Sequence, residues 1–558
     1  MKLLKGLLLG SAAALVSVAG AQAADLPARQ AAPIEYVRIC DAYGAGFFYI
    51  PGTDTCLKVG GLAMTEVRSY DASYSISPVG GTGTLAYNTT NFFPANPATA
   101  AIRTTGGTSS SGYIPTVSQY ANARARDAYG WDSLGRIELD ARTGTPWGVL
   151  RSFIRVDSYV GTGYANTGAL TSGSSFNTNP YNTSAGVGAT RETTIVNKAF
   201  IQFAGFTAGR AQSMFDFYAS AYNYQNIAGS NATTQLLAYT ATLGNLLNGL
   251  SATLSVEDEN ARQANVGSTI AGGTGFAVVG GTGATSQNYG GITGTNFVGT
   301  PAGTRFPDIV GNVRIDQPWG AVQVSAAGHE ATASLYSGTA YASTAGTTSY
   351  AFPAATSNTY GWAVQGGVQL NVNYLSAGDK LWLQAAYERG AISYVWGNNL
   401  ASSYGAVSGN RFYGSGYTPA DTSAGWNSNM YDCVFTASGV CEQQTGWSVV
   451  AAYKHYWIPT LASAIFGSYT QINYSQNALN GFGGAVGVPN LKTARVGTNL
   501  VWTPVKGFDI GAEFMYVNVQ QTRPVGLASD TVLNTVGLPS WRGSNNEYEG
   551  RVRVQRAF

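Results

Sequence analysis

Charged residues share one parity in two neighbouring stretches of this chain. Arg136, Glu138, Asp140 and Arg142 form one; Arg151, Arg155 and Asp157 follow a TPWG turn at 145–148. Side chains two apart on an extended strand share a face, so each stretch presents cations and carboxylates together. Such a face can guide ions or pair internally, but it makes and breaks no covalent bonds. A third group, SMFDFYASAYNYQN at 213–226, sets Asp216 among Tyr218, Tyr222 and Tyr224. Those tyrosines either offer a stacking surface for sugars or amino acids, or pack against a wall and narrow the space beside it.

Bond-making chemistry has few candidates. Hydrolytic triads need histidine, and the chain has only His329 and His455. His455 shares its parity with Trp447, Tyr453 and Trp457, and His329 precedes Glu330 at a strand end. Both read as interfacial rather than catalytic, and no enzyme is expected. Cys40, Cys56, Cys433 and Cys441 show no CxxC or Cys/His spacing for zinc, so no metal or other cofactor is expected. Four cysteines allow three pairings. Nearness in the chain favours Cys40–Cys56 and Cys433–Cys441, and disulfides fit an oxidising compartment. The GGTG stretches lack the strand-to-helix setting that a phosphate cradle needs.

The elements that position these groups read as strands. In WAVQGGVQLNVNY, Trp362, Val364, Val368, Leu370, Val372 and Tyr374 oppose Gln365, Gln369, Asn371 and Asn373. The same period of two runs through GRIELDAR, LWLQAAYER and FDIGAEFMY. It returns in the last residues, where Glu547, Glu549, Arg551, Arg553 and Gln555 oppose Tyr548, Gly550, Val552 and Val554. Sixteen such strands are predicted, near 57–68, 132–143, 147–160, 192–205, 207–212, 235–243, 250–259, 307–317, 319–329, 360–374, 379–393, 446–457, 462–474, 491–503, 507–520 and 547–558. Short turns alternate with long links at 69–131, 161–191, 260–306, 330–359 and 394–445. That rhythm puts all turns at one end of an antiparallel meander.

The solvent of the apolar face follows from the rest of the chain. Lys2 and Lys5, an apolar run from Leu7 to Ala19 and the AQA before position 24 form an export signal at 1–23. Without those two lysines, basic and acidic residues balance at 29, which argues against a nucleic-acid partner. Charged residues are only 11% of a chain holding 34 tyrosines, 22 phenylalanines and 11 tryptophans. No later run of ~20 apolar residues exists for a spanning helix. An exported, aromatic, charge-poor chain of alternating strands is expected to be a 16-stranded antiparallel transmembrane β-barrel in outer-membrane lipid. At that size a closed sheet keeps an aqueous lumen.

YVRICDAYGAGFFYIPGTDTCLKVGG at 36–61 resembles the start of the alphaproteobacterial general porins, where a short disulfide-bearing segment leads into the first strand. KAFIQFAGFTAGRAQSMFDF at 198–217 resembles their approach to the third loop, and GRVRVQRAF resembles their last strand. The resemblance implies a homotrimer passing small hydrophilic solutes and ions, with a third loop folded inward at about 211–234. It implies a periplasmic lead-in at 24–56 before a barrel that completes 24–558. It also makes Phe558 an address for the outer-membrane insertion machinery. Arg136, Arg142, Arg151 and Arg155 would then face Asp216 across a constriction. A substrate-selective channel, or a surface adhesin or receptor on a barrel scaffold, are the alternatives.

Overall fold

The computed structural model describes residues 38–72, 129–163, 191–272, 295–396, 431–480, 487–525 and 544–558, apart from positions 245, 260, 261, 270, 344, 345 and 524. The expected signal at 1–23, and most of the expected links at 69–131 and 161–191, lie outside them. So do parts of those at 260–306 and 394–445.

Residues up to Leu57 form a compact unit of their own. Its described part is held by a disulfide between Cys40 and Cys56, with Phe47 buried beside both. A short strand, Phe48–Tyr49, pairs with Cys56 and Leu57.

The other unit is built on sixteen barrel strands. The first eight are β1 Thr55–Ala72, β2 Tyr129–Thr145, β3 Gly148–Gly163, β4 Arg191–Phe203, β5 Phe206–Gln212, β6 Thr233–Thr242, β7 Leu250–Glu257 and β8 Asp308–Gln317. The second eight are β9 Gly320–Ser343, β10 Gly346–Asn371, β11 Lys380–Arg389, β12 Thr445–Ile458, β13 Leu461–Asn473, β14 Leu491–Val505, β15 Phe508–Gln521 and β16 Ser544–Ala557. Each pairs with the next, and β16 pairs with β1 from Leu62↔Ala557 to Ala72↔Glu547. The sheet is therefore closed and antiparallel.

Parity places the residues as the alternation demands. Ile137, Leu254, Val324, Ile465 and Phe514 stand exposed on the outer face, while Asp157, Gln323, Gln365, Gln384 and Glu513 are buried on the inner one. A bilayer accepts such an apolar exterior. The expected strands all form, including the short pair β5 and β6. One link does not. The stretch 330–359 is the outer half of a long β9–β10 hairpin, paired from Gly320↔Leu370 to Ser343↔Gly346. Its Ser, Thr, Ala and Gly residues carry no hydrophobic alternation, so the pattern read as loop, but cross-strand pairing holds it in register.

Beyond the barrel strands, Asn265–Ser268, Tyr431–Phe435 and Cys441–Gln443 make a small sheet. The Cys433–Cys441 disulfide lies within it, in a cluster with Val266, Ala331, Ala333 and Phe435. Burial opposes the charge of Glu442, yet Ser475, Asn477, Thr436 and Ser438 hold its carboxyl at about 2, below its ordinary 4.5.

Two outcomes follow for this sheet. Replacing Cys433 and Cys441 with serine should cost it about 2–4 kcal/mol. Limited proteolysis should then cut within 431–443 while the barrel stays resistant; loss of the barrel would contradict this. A carboxyl lowered on folding stabilises above its ordinary pKa and stops doing so as pH falls through the folded value. Protease resistance of the same sheet should therefore weaken between pH 4.5 and about 2, and Glu442→Gln should remove that dependence.

Candidate functional site

The link between β5 and β6 folds into the barrel, as the third loop was expected to do. Its ends meet at Ser213 N–H, which donates to Ala232 O at 2.9 Å. From there it runs along the inner wall. Asn312 of β8 donates to Met214 O at 2.6 Å, and Gln365 of β10 to Phe215 O at 2.9 Å. Gln384 of β11 accepts from Tyr218 N at 3.0 Å. The tip then reaches β14 and β15. Asn499 donates to Tyr222 O at 2.7 Å, and the Glu513 carboxylate accepts from Tyr224 N and Gln225 N, each at 2.7 Å. The return passes β13, where Ser468 accepts from Ala228 N at 2.9 Å.

Two glycines make room for this path. A side chain at Gly367 would strike the Phe217 ring, and one at Gly511 would strike Tyr224. Glycine inside a strand marks such a close approach.

Asp216 does not face the lumen. Its side chain is 1% exposed and lies 3.3 Å from the Arg262 guanidinium. It also accepts from Ser230 Oγ and from Ala232 N. Arg262 in turn donates to Ser213 Oγ at 2.7 Å and Ser230 Oγ at 3.0 Å. Asp216 is thus the knot that closes the loop's base, because a desolvated carboxylate needs partners more than an ion path needs it. The tyrosines are also occupied. Tyr218 is buried, bonded to Asn223 and packed on Trp382. Tyr222 accepts from Trp382 Nε1 at 3.1 Å. The Arg553 guanidinium sits 3.9 Å from the centre of the Tyr224 ring.

The wall of β1–β3 and β16 carries the charges. Arg136 and Arg155 share Asp157, at 2.7 and 3.0 Å. Arg142 and Arg151 share Asp140, at 2.8 and 2.9 Å, and Arg151 also donates to Gln202 at 2.9 Å. Glu138 stands 3.8 Å from Arg155. The ladder continues through Glu66, Arg68 and Asp132, and through Arg551 and Arg553 on the polar face of the last strand. Glu66 is fully buried and bonded to Arg68, Arg551 and Arg553, and Arg68 reaches Asp132 at 2.6 Å. The two-residue spacing of Glu66 with Arg68, and of Arg551 with Arg553, is the signal that reveals them. Arg262 had none, since it lies on a link without periodicity.

The two histidines differ. His455 bonds Asp379 at 2.7 Å, near the exposed Trp457 at the turn end. His329 is not interfacial. It is 3% exposed and lies 2.8 Å from Asp308.

A family model described as Porin subfamily matches residues 25–539. The chain belongs to that family. This porin is similar to Porin Omp2b of Brucella suis biovar 1 (strain 1330), 30% identical over 322 residues, which cover 57% of this chain and 64% of that one. Porin Omp2b of Brucella melitensis biotype 1 matches at 29% with the same coverage. The chain therefore spans under two thirds of these relatives' length. Solved structures with a similar fold include the outer membrane channel DcaP of Acinetobacter baumannii, with TM-score 0.45, 13% identity and 91% and 99% coverage. An anion-selective porin from Comamonas acidovorans gives TM-score 0.36, 8% identity and 90% and 100% coverage. The porin is an outer-membrane protein.

Arg262→Ala should leave the Asp216 carboxylate buried without its guanidinium, a loss of about 3–5 kcal/mol for a broken buried pair. The porin should then melt earlier, and protease should cut within 213–232. An unchanged melt and an intact loop would contradict the knot.

Proposed function

We propose that this porin forms a water-filled channel through which small hydrophilic solutes and ions diffuse passively, with a weak preference for anions. The observation that carries the reading is the division of the lumen. The inner loop is bonded to β8–β11 and β13–β16, and the charged ladder starts at β16, where Arg553 lies on the Tyr224 ring, and runs on across β1–β3. Seven arginines on this ladder share Glu66, Asp140 and Asp157, with Asp132, Glu138 and Glu549 at its edges. Sharing leaves a surplus of positive charge. Low-dielectric walls concentrate its field in a narrow aqueous path, where salt screens less than in open water.

The packed tyrosines lend no support to a ring-stacking, substrate-selective channel. A homotrimer is part of the proposal and rests on the family resemblance of the chain's ends and inner-loop approach. Residues 24–56 are proposed as the periplasmic lead-in.

Reversal potentials across a salt gradient test the charge reading. Arg151→Ala with Arg155→Ala should shift preference toward cations, and Asp140→Asn should shift it toward anions by releasing Arg142 and Arg151. No shift from either variant would mean that the ladder lies off the ion path. Conductance steps in planar bilayers test the channel itself: an absence of stable ohmic steps would remove it, and steps never grouped in threes would remove only the trimer.

A further inference from the structure

A second polar cluster lies at the loop end of β7–β9, beside Glu259 and Ala264. Asp308 opens β8, opposite Glu257 of β7, one register step from the Ile309↔Gly328 pair that brings His329 beside it. His329 Nδ1 is 2.8 Å from Asp308 Oδ1. Tyr394 donates to Asp308 Oδ2 at 2.6 Å. Asp432 stands 3.4 Å from His329 Nε2, and its carboxylate also accepts from Ile392 N and Ala264 N. Glu330 accepts from Arg305 N and Phe306 N through one oxygen; its other oxygen is buried without a partner among the described residues.

Glu259 is the anomaly. It is 2% exposed, and among the described residues neither of its carboxylate oxygens has a hydrogen-bond partner. Ligand atoms of Glu259, Asp308 and His329 all lie within 4.8 Å of one another. A buried carboxylate costs several kcal/mol unless something compensates it. The neighbouring guanidinium, Arg262, is committed to Asp216 and two serines.

We propose that Glu259, Asp308 and His329 bind a divalent metal ion of the zinc class, and that this ion steadies the inner loop. The nitrogen ligand decides the class. Calcium and magnesium take oxygen ligands, whereas imidazole with carboxylates suits zinc and its neighbours. Bonds of ~2.0–2.2 Å in a tetrahedron place ligand atoms ~3.4 Å apart, so the 2.8 Å contact between His329 and Asp308 would open and Glu259 would close on the pair. The coupling runs through one turn. Arg262 N donates to Glu259 O at 2.6 Å, so the residues that would hold the ion also set the guanidinium that knots the loop at Asp216.

The test uses the full-length protein, stripped with a chelator and titrated with zinc chloride by calorimetry, with metal content read after dialysis. One zinc per chain is expected. Glu259→Gln, which keeps shape and removes the charge, should weaken binding at least tenfold, and His455→Gln should leave it unchanged. No zinc uptake by the native protein would overturn the site and would mean that a proton neutralises Glu259 instead. Equal uptake by Glu259→Gln would also overturn it, and tighter binding of calcium than zinc would overturn the metal class. Protease cleavage within 213–232 should rise when zinc is removed; cleavage indifferent to zinc would overturn the coupling. None of these readouts requires the protein to conduct.

Discussion

In the hydrocarbon of a bilayer no water meets a free amide or carbonyl, so a sheet that crosses it has to pair every edge. Here the last strand returns to the first along β16 and β1, and Phe558 exchanges both backbone bonds with Gly61 at 3.1 Å. Glycine is needed at that point, since a side chain at Gly61 would run into the Phe558 ring and the Arg136 carbonyl. Closure then fixes the meaning of every other position. One parity faces lipid and the other faces a lumen, so a polar residue inside a strand has a single place to go.

A lumen ringed by sixteen strands is wider than its own side chains can fill. The chain narrows it with a segment of its own, bonded to β8–β11 and β13–β16 through side chains that would otherwise face water. Because that segment binds one side, the barrel interior is asymmetric. Its polar anchors are spent on backbone groups, while the guanidinium ladder across β16 and β1–β3 remains. The carboxylates that each hold two or three arginines keep those long side chains in place, so the ladder works as a structural network and as a charged surface at once.

Strand number and facing were legible because period two survives at almost every crossing. Ile137 against Glu138 and Val552 against Arg551 are enough to assign sides. The β9–β10 extension was not legible, since Thr, Ser and Ala give the same pattern in a loop and in a strand whose both faces are polar. The inner loop's position could be read from the resemblance of 198–217 to the family's approach to its third loop, but its chemistry could not. Asp216 was the single formal charge on the segment, and nothing near it in the chain announces Arg262 as its partner. His329 sat at a predicted strand end beside Glu330. Its burial among carboxylates depends on Glu259, Asp308 and Asp432, which the fold gathers from the end of β7, the start of β8 and the small sheet.

The most direct measurement uses the fact that all four cysteines of this chain are already in disulfides. A single cysteine introduced at Glu138 or at Ile137 is then the one target for a bulky, charged, membrane-impermeant thiol reagent in single-channel recording. Glu138→Cys should show a lasting step down in conductance on modification, and Ile137→Cys, one residue away, should show none. Silence at position 138, or a block at position 137, would contradict the account that the polar face of these strands lines a water-filled path.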